Sequence, residues 1–158
     1  MLTRSVHDTL KSVKGPFAHG FTYSGHLTAC AVGLRNLRII EEEGLVEREA
    51  ERGAYLLARL QSLRSHEIVG DVRGLGLVAG IELVRDRATK ELFDPALGAA
   101  RRVWLAALEQ GVIVRPLPGD VLAMSPPFVI SEEQIDRIVM VLDQAIGSVA
   151  MELRPSGT

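Results

Sequence analysis

The sequence predicts an α+β domain in which helices cover a small, mostly antiparallel sheet. Apolar spacing changes from three- and four-residue steps to strict alternation and back, and glycines and prolines fall at the changes. A length of 158 residues suits one core and is short for two self-sufficient domains. The order that results is helix, helix, strands, helix, hairpin, helix.

Residues 1–24 read as a loop, because Lys14-Gly15-Pro16 breaks a helix and 17–24 is aromatic, His-rich and without helical period. From Gly25, the residues Leu27, Ala31, Leu34, Leu37 and Ile40 recur at helical steps until Glu43, and Gly44 supplies the stop. A second helix begins at Leu45 and carries Ala50, Gly53, Leu57, Leu60 and Leu63 on one side. The period then changes. Leu75, Leu77, Ala79, Ile81 and Leu83 alternate with Gly76, Val78, Gly80, Glu82 and Val84, which predicts one half-buried antiparallel strand, with 69–73 as a short strand before it.

Asp94-Pro95 is expected to open a helix that runs through Val103, Trp104 and Leu108 to Gly111. Short strands at 112–115 and 121–124 flank Pro116 to Asp120, where Pro118-Gly119 offers the two φ values of a type II turn. Ser131 and Gln134 form a capping box before Ile135, Ile138, Val139, Leu142 and Ile146, and the chain frays from Arg154. The expected layout is a loop over 1–24, a domain over 25–150 and a tail over 151–158.

Hydrophobic residues make up 47% of the chain and charged ones 24%, so it can bury a core and is neither disordered nor collagen-like. Lys and Arg number 18 against 20 Asp and Glu, with no basic block suited to a phosphate backbone, so no nucleic-acid partner is expected. The lone Cys30 excludes an internal disulfide framework and a Cys-rich zinc module. Apolar runs are too short for a membrane span, and Arg4, Asp8 and Lys11 interrupt the first residues, unlike a secretory signal. A cytoplasmic protein with no membrane association is the expectation.

The stretch His19-Gly20-Phe21-Thr22-Tyr23-Ser24-Gly25-His26 gathers imidazoles, hydroxyls and glycines immediately before a helix. Hydroxyl and backbone N–H groups there suit a phosphate, since orphan donors and the helix dipole both favour an anion. The competing reading, which composition alone favours, is that Ser24 serves as the helix cap with the aromatics packed at its foot. A metal pair of His19 and His26 has no ligand logic at that spacing, and no carboxylate stands between them.

Arg115 ends a short apolar strand beside a tight turn. Its planar fork suits a substrate carboxylate, and an ion pair with Asp120 across the hairpin is the competing reading. Asp71 and Arg73 are placed to pair locally, and Glu82 falls on the solvated side of its strand. Gly74-Leu75-Gly76 with Gly80 is no dinucleotide fingerprint, because the last spacing is one residue too long and a strand follows where a helix should open.

Four stretches in fixed order resemble class III aminotransferases: the run Phe17 to His26, Val69-Gly70-Asp71-Val72-Arg73-Gly74-Leu75-Gly76-Leu77, Gly111-Val112-Ile113-Val114-Arg115-Pro116 with Gly119-Asp120, and Pro126-Pro127-Phe128. The likeness covers about residues 13–148 and is to the C-terminal portion of the omega-amino acid and β-alanine:pyruvate type. It implies a pyridoxal 5'-phosphate (PLP) enzyme of fold type I, of which 25–150 is the small C-terminal domain and 1–24 a remnant of the interface loop.

By that resemblance, Thr22 would bind the cofactor phosphate of the neighbouring subunit with Phe21 beside it, and Arg115 would be a mobile arginine meeting the substrate carboxylate. The substrates implied are small amino and keto acids. The assembly implied is a homo-oligomer or a pairing with a full-length relative. Leu27 departs from the pattern, in which proline usually follows Gly-His. The cofactor-bearing lysine, the aspartate facing the pyridine nitrogen and the glycine-rich phosphate loop of the family all precede the matching portion. Lys11, Lys14 and Lys90 are the chain's lysines, and none stands in the family's lysine context. The expectation is therefore a transaminase segment with no catalytic residue of its own, inactive alone. The alternative is a non-catalytic module, or a truncated remnant, that pairs with a full-length aminotransferase.

Overall fold

A computed structural model describes residues 3–13, 15 and 20–154. The chain divides into two compact units, Met1–Arg38 and Ile39–Thr158, and each is described by itself. In the first, α1 (Arg4–Ser12) is capped by Thr3, whose hydroxyl accepts from the Val6 N–H at 3.4 Å. This corrects the loop expected for the whole of 1–24. The breaker at Lys14-Gly15-Pro16 bars a helix through it, yet leaves room for one before it, and Thr3 supplies the start. α2 (Leu27–Glu42) begins and ends where its spacing predicts and continues past the divide, with no buried residue in its 16.

Gly44, at φ 57°, lets the chain turn from α2 into α3 (Leu45–Gln61), which buries Leu45, Gly53, Leu56 and Leu60. A single turn of 3-10 helix at Ser62–Ser65 leads into β1 (Val69–Leu75), which pairs with β2 (Val78–Leu83). The expected strand from Leu75 to Val84 is thus two strands. Gly76 takes φ 55° and forms the hairpin turn with Leu77, so Leu75 ends β1, 88% exposed, while Leu77, in the turn, and Ala79, Ile81 and Leu83, in β2, are buried as predicted.

Asp94 caps only a 3-10 turn, Pro95–Leu97, by accepting from Ala96 N–H at 2.9 Å. Gly98, at φ 58°, then breaks the path, and α4 (Ala99–Glu109) starts after it, five residues beyond Asp94. β3 (Arg115–Leu117) and β4 (Val121–Met124) form the expected hairpin with Gly119 at φ 79°. β3, however, begins where the predicted strand would end: it must face β4 residue for residue, and Leu117 opposite Val121 fixes that register. α5 (Glu132–Glu152) carries the capping box as predicted, with Ser131 Oγ accepting from Gln134 N–H at 3.3 Å and Gln134 Oε1 from Ser131 N–H at 3.0 Å.

The four strands stand in the order β1-β2-β4-β3, all antiparallel. α3 packs on β1 and α5, and α4 on α5, β3 and β4, so the helices cover one sheet face. Val72, Ile81 and Leu122 line up across that face and join Leu56, Leu60, Val103 and Leu142 in the core. Every buried apolar side chain among the described residues lies at or beyond Leu45. No helix among them is long and apolar enough to cross a membrane.

Candidate functional site

Arg115 opens β3 at the sheet's edge. The register sets it opposite Ala123, Ala123 opposite Gly80 and Gly80 opposite Arg73, giving one row of four across the sheet. The adjacent row holds the buried Val72, Ile81 and Leu122, so side-chain alternation puts the arginine row on the face opposite α3, α4 and α5. Two guanidinium groups stand at opposite edges of that face, with a glycine and an alanine between them.

The two are not equivalent. Arg73 donates to Glu82 at 2.7 Å and to Asp71 at 3.1 Å. The Glu82 hydrogen bond first, and the Asp71 one second, hold its guanidinium even further above the ordinary arginine range. The expected Asp71–Arg73 pair is therefore present, and Glu82, read from sequence as merely solvated, is its stronger member. The Arg115 side chain is exposed and makes no hydrogen bond or ion pair among the described residues. The competing pair with Asp120 does not form: Asp120 Oδ1 accepts the Ala100 N–H at 2.9 Å. Ala100 lies 20 residues away in the chain, beyond the reach of a local reading. Arg115 consequently keeps its planar fork of donors unengaged by the chain.

Phe21 and Thr22 belong to the turn before α2. Ser24 N–H donates to the Phe21 carbonyl at 3.0 Å while Phe21 N–H donates to Ser24 Oγ at 3.1 Å, a reciprocal closure of the turn. The α2 cap is therefore not Ser24. His26 Nδ1 accepts from Ala29 N–H at 3.3 Å and its carbonyl accepts from Cys30 N–H at 3.0 Å, so an imidazole stands where a hydroxyl is expected. Ser24 turns back because its own oxygen closes the preceding turn.

Thr22 is exposed, and its hydroxyl has no hydrogen bond among the described residues. A Cβ at Gly20 or Gly25 would meet nothing within 4 Å, so the turn is open on both flanks. A phosphate needs donors not already engaged by the chain, together with room, and Thr22 meets both conditions. The residues thus fit one contact to a PLP phosphate. Phe17 and His19 lie outside the described residues, as does Lys14. Lys11 is exposed on α1, and Lys90 is in a turn at φ 59°. Thr22 and Phe21 share one turn of the first unit, whereas Arg115 belongs to the second.

The family model for aminotransferase class III matches residues 2–146. Diaminobutyrate–2-oxoglutarate transaminase of Halomonas elongata is 44% identical over 145 residues, which are 90% of this chain and 31% of that protein. Putrescine–pyruvate aminotransferase of Pseudomonas aeruginosa is 43% identical over 141 residues, 85% of this chain and 30% of that one. The crystal structure of a thermostable (S)-enantioselective omega-transaminase from Thermomicrobium roseum superposes with a TM-score of 0.82 at 42% identity, covering 94% of this chain and 33% of that chain. The chain thus spans about a third of the length of these relatives. With the family model matched over residues 2–146 and the fold superposing on a solved transaminase at 42% identity, the chain belongs to the class III aminotransferases, PLP enzymes of fold type I.

Proposed function

We propose that this chain supplies two recognition elements of PLP-dependent transamination between an omega-amino acid or amine and a keto acid such as pyruvate. Thr22, with Phe21 beside it, donates to the cofactor phosphate of a neighbouring subunit, and Arg115 binds the carboxylate of the amino or keto acid. PLP, when bound, supplies the electron sink that amino-group transfer requires.

The observation that carries this reading is the unengaged Arg115 guanidinium on the sheet face opposite α3, α4 and α5, a face whose other arginine is neutralised by two carboxylates. The names of two relatives pair an amino donor with a keto acid, and putrescine carries no carboxylate while pyruvate does. An arginine that is exposed, and tied to no acid of its own chain, suits a site that meets a carboxylate in one half-reaction and none in the other.

The remaining machinery, including the cofactor-bearing lysine, belongs to polypeptide beyond this third of the family's length. The segment 1–24, helix α1 and the turn that carries Thr22 included, acts at the interface, and 25–150 acts as the small domain. The chain is catalytically silent by itself, works in a cytoplasmic homo-oligomer or beside a full-length relative, and contributes binding rather than proton transfer.

The test is Arg115→Ala in a complete class III enzyme that carries this chain as its matching segment. KM for keto and amino acids rises at least about tenfold, the loss expected for a charge-assisted bidentate contact, while amines without a carboxylate are unaffected in their own half-reaction. Equal losses for both substrate types would overturn the assignment. Turnover by the purified chain alone would overturn its silence.

A further inference from the structure

Arg115 sits on a strand with little to hold it. β3 has three residues, it lies at the sheet edge, and its central residue, Pro116, has no N–H to give to a ladder. Its position depends on β4, on the turn that joins them and on α4, which packs against it.

The far end of that turn is Asp120, which is fastened twice. Its carbonyl accepts the Leu83 N–H at 2.9 Å, tying it to the end of β2. Its Oδ1 accepts the Ala100 N–H at 2.9 Å in the first turn of α4. That second bond is the one a local N-cap side chain would make. The residue in the cap position is Gly98, which has no side chain to offer, and the first turn of α4 carries no acidic residue. Asp120 therefore caps α4 from a different element, with its negative charge at the positive end of the helix dipole.

Asp120 also stands at φ 53°, in the left-handed region that non-glycine residues seldom occupy and that Asp and Asn tolerate best. The preceding Gly119 has φ 79°. Two consecutive left-handed residues turn the chain so that one residue reaches β2 with its carbonyl and α4 with its carboxylate.

We propose that Asp120 is a positioning residue for Arg115: by capping α4 from the hairpin tip it fixes β3 against the domain. The inference rests on the carboxylate-clamp reading of Arg115. Asp120 does not touch substrate. It acts through the hairpin.

The experiment has two arms. In the 158-residue chain itself, hydrogen exchange and 15N relaxation are compared for the parent, Asp120→Ala and Asp120→Asn. Loss of a hydrogen bond to a charged acceptor should speed exchange at Ala100 about tenfold or more and lower the order of the Arg115 and Leu117 amides in the alanine variant. Asparagine keeps an acceptor oxygen and tolerates the backbone angle, so it should restore most of both.

In a complete class III enzyme carrying this chain as its matching segment, Asp120→Ala should raise KM for keto and amino acids several-fold. It should leave kcat at saturation, and the half-reaction of amines without a carboxylate, near the parent, and Asp120→Asn should rescue. Faster exchange at Ala100 with no change at Arg115 and Leu117, or an equal loss for acids and amines together with a lower Tm, would reduce Asp120 to a helix cap and overturn the proposal. If Arg115→Ala fails to discriminate acids from amines, the clamp itself falls and this inference with it. If Arg115→Ala discriminates and Asp120→Ala does not, the clamp stands and only the positioning role is lost.

Discussion

At Thr22 and Gly53 a single side chain decides an outcome, for opposite reasons. The Thr22 hydroxyl is unengaged and exposed, so its removal costs the isolated chain little, while a cofactor phosphate would lose a donor. Thr22→Ala in the complete enzyme is expected to weaken PLP retention about tenfold, from roughly 1.5–3 kcal/mol for a hydrogen bond to a charged group, and Thr22→Ser to restore it. Dialysis followed by absorbance of the retained cofactor measures this, and retention unchanged in Thr22→Ala would remove Thr22 from the site. Gly53 is constrained by its neighbour: a Cβ there would run into the backbone of Gly76 in the β1–β2 turn, where backbone has no rotamer by which to yield. Glu49 on the same helix accepts the Leu77 N–H at 2.7 Å, holding that turn against α3. Gly53→Ala should therefore destabilise by about 1–3 kcal/mol despite alanine's better helix propensity, read as a drop in the urea midpoint.

Among the elements, α5 shows what a local signal can specify. Its capping box is written in Ser131 and Gln134, three residues apart, and both reciprocal bonds form. Ser131→Ala is expected to cost about 1 kcal/mol by thermal unfolding, and Ser131→Asp to cost less, because an aspartate keeps the acceptor. Helix ends set by glycine were equally legible: Gly44 stops α2 at the predicted place. Elements whose bounds depend on a distant partner were not. Leu75 alternates with its successors as though in one strand, but Gly76 at φ 55° turns the chain, and pairing across that turn assigns Leu75 to β1. Likewise 112–114 have strand composition and no strand, because β4 offers partners only to 115–117. The site divides along the same line. Arg115 stood out by its place beside a turn, whereas its freedom from Asp120 is decided by Ala100, and the His26 cap displaces Ser24 through a turn closure that composition does not reveal.

Across the whole domain, the ties between α3 and α5 make stability depend on acid in a predictable direction. Asp136 on α5 accepts from Arg59 Nε at 2.6 Å and from the Tyr55 hydroxyl at 2.9 Å, both on α3. The Arg59 hydrogen bond first, and that of Tyr55 second, hold the Asp136 carboxyl below its ordinary range. Asp86 is lowered as well, by the backbone N–H groups of Thr89 and Ala88. A carboxyl whose pKa is lower folded than unfolded lets the unfolded chain bind more protons in the interval between the two values, so stability rises with pH there. The contribution of these groups is complete above the unfolded carboxylate range, near pH 4, and is lost as pH falls through the lower folded values. The midpoint of thermal unfolding should accordingly fall on titration from neutral pH to about pH 3, and the fall should be shallower in Asp136→Asn. At neutral pH that variant should unfold at a lower temperature than the parent, since it lacks the charged acceptor that joins the helices, and the two curves should converge in acid. Unfolding curves that keep a constant separation over the range would show that the α3–α5 tie does not depend on the Asp136 charge, and would shift the acid sensitivity to the other lowered carboxyls, Asp86 and Glu133.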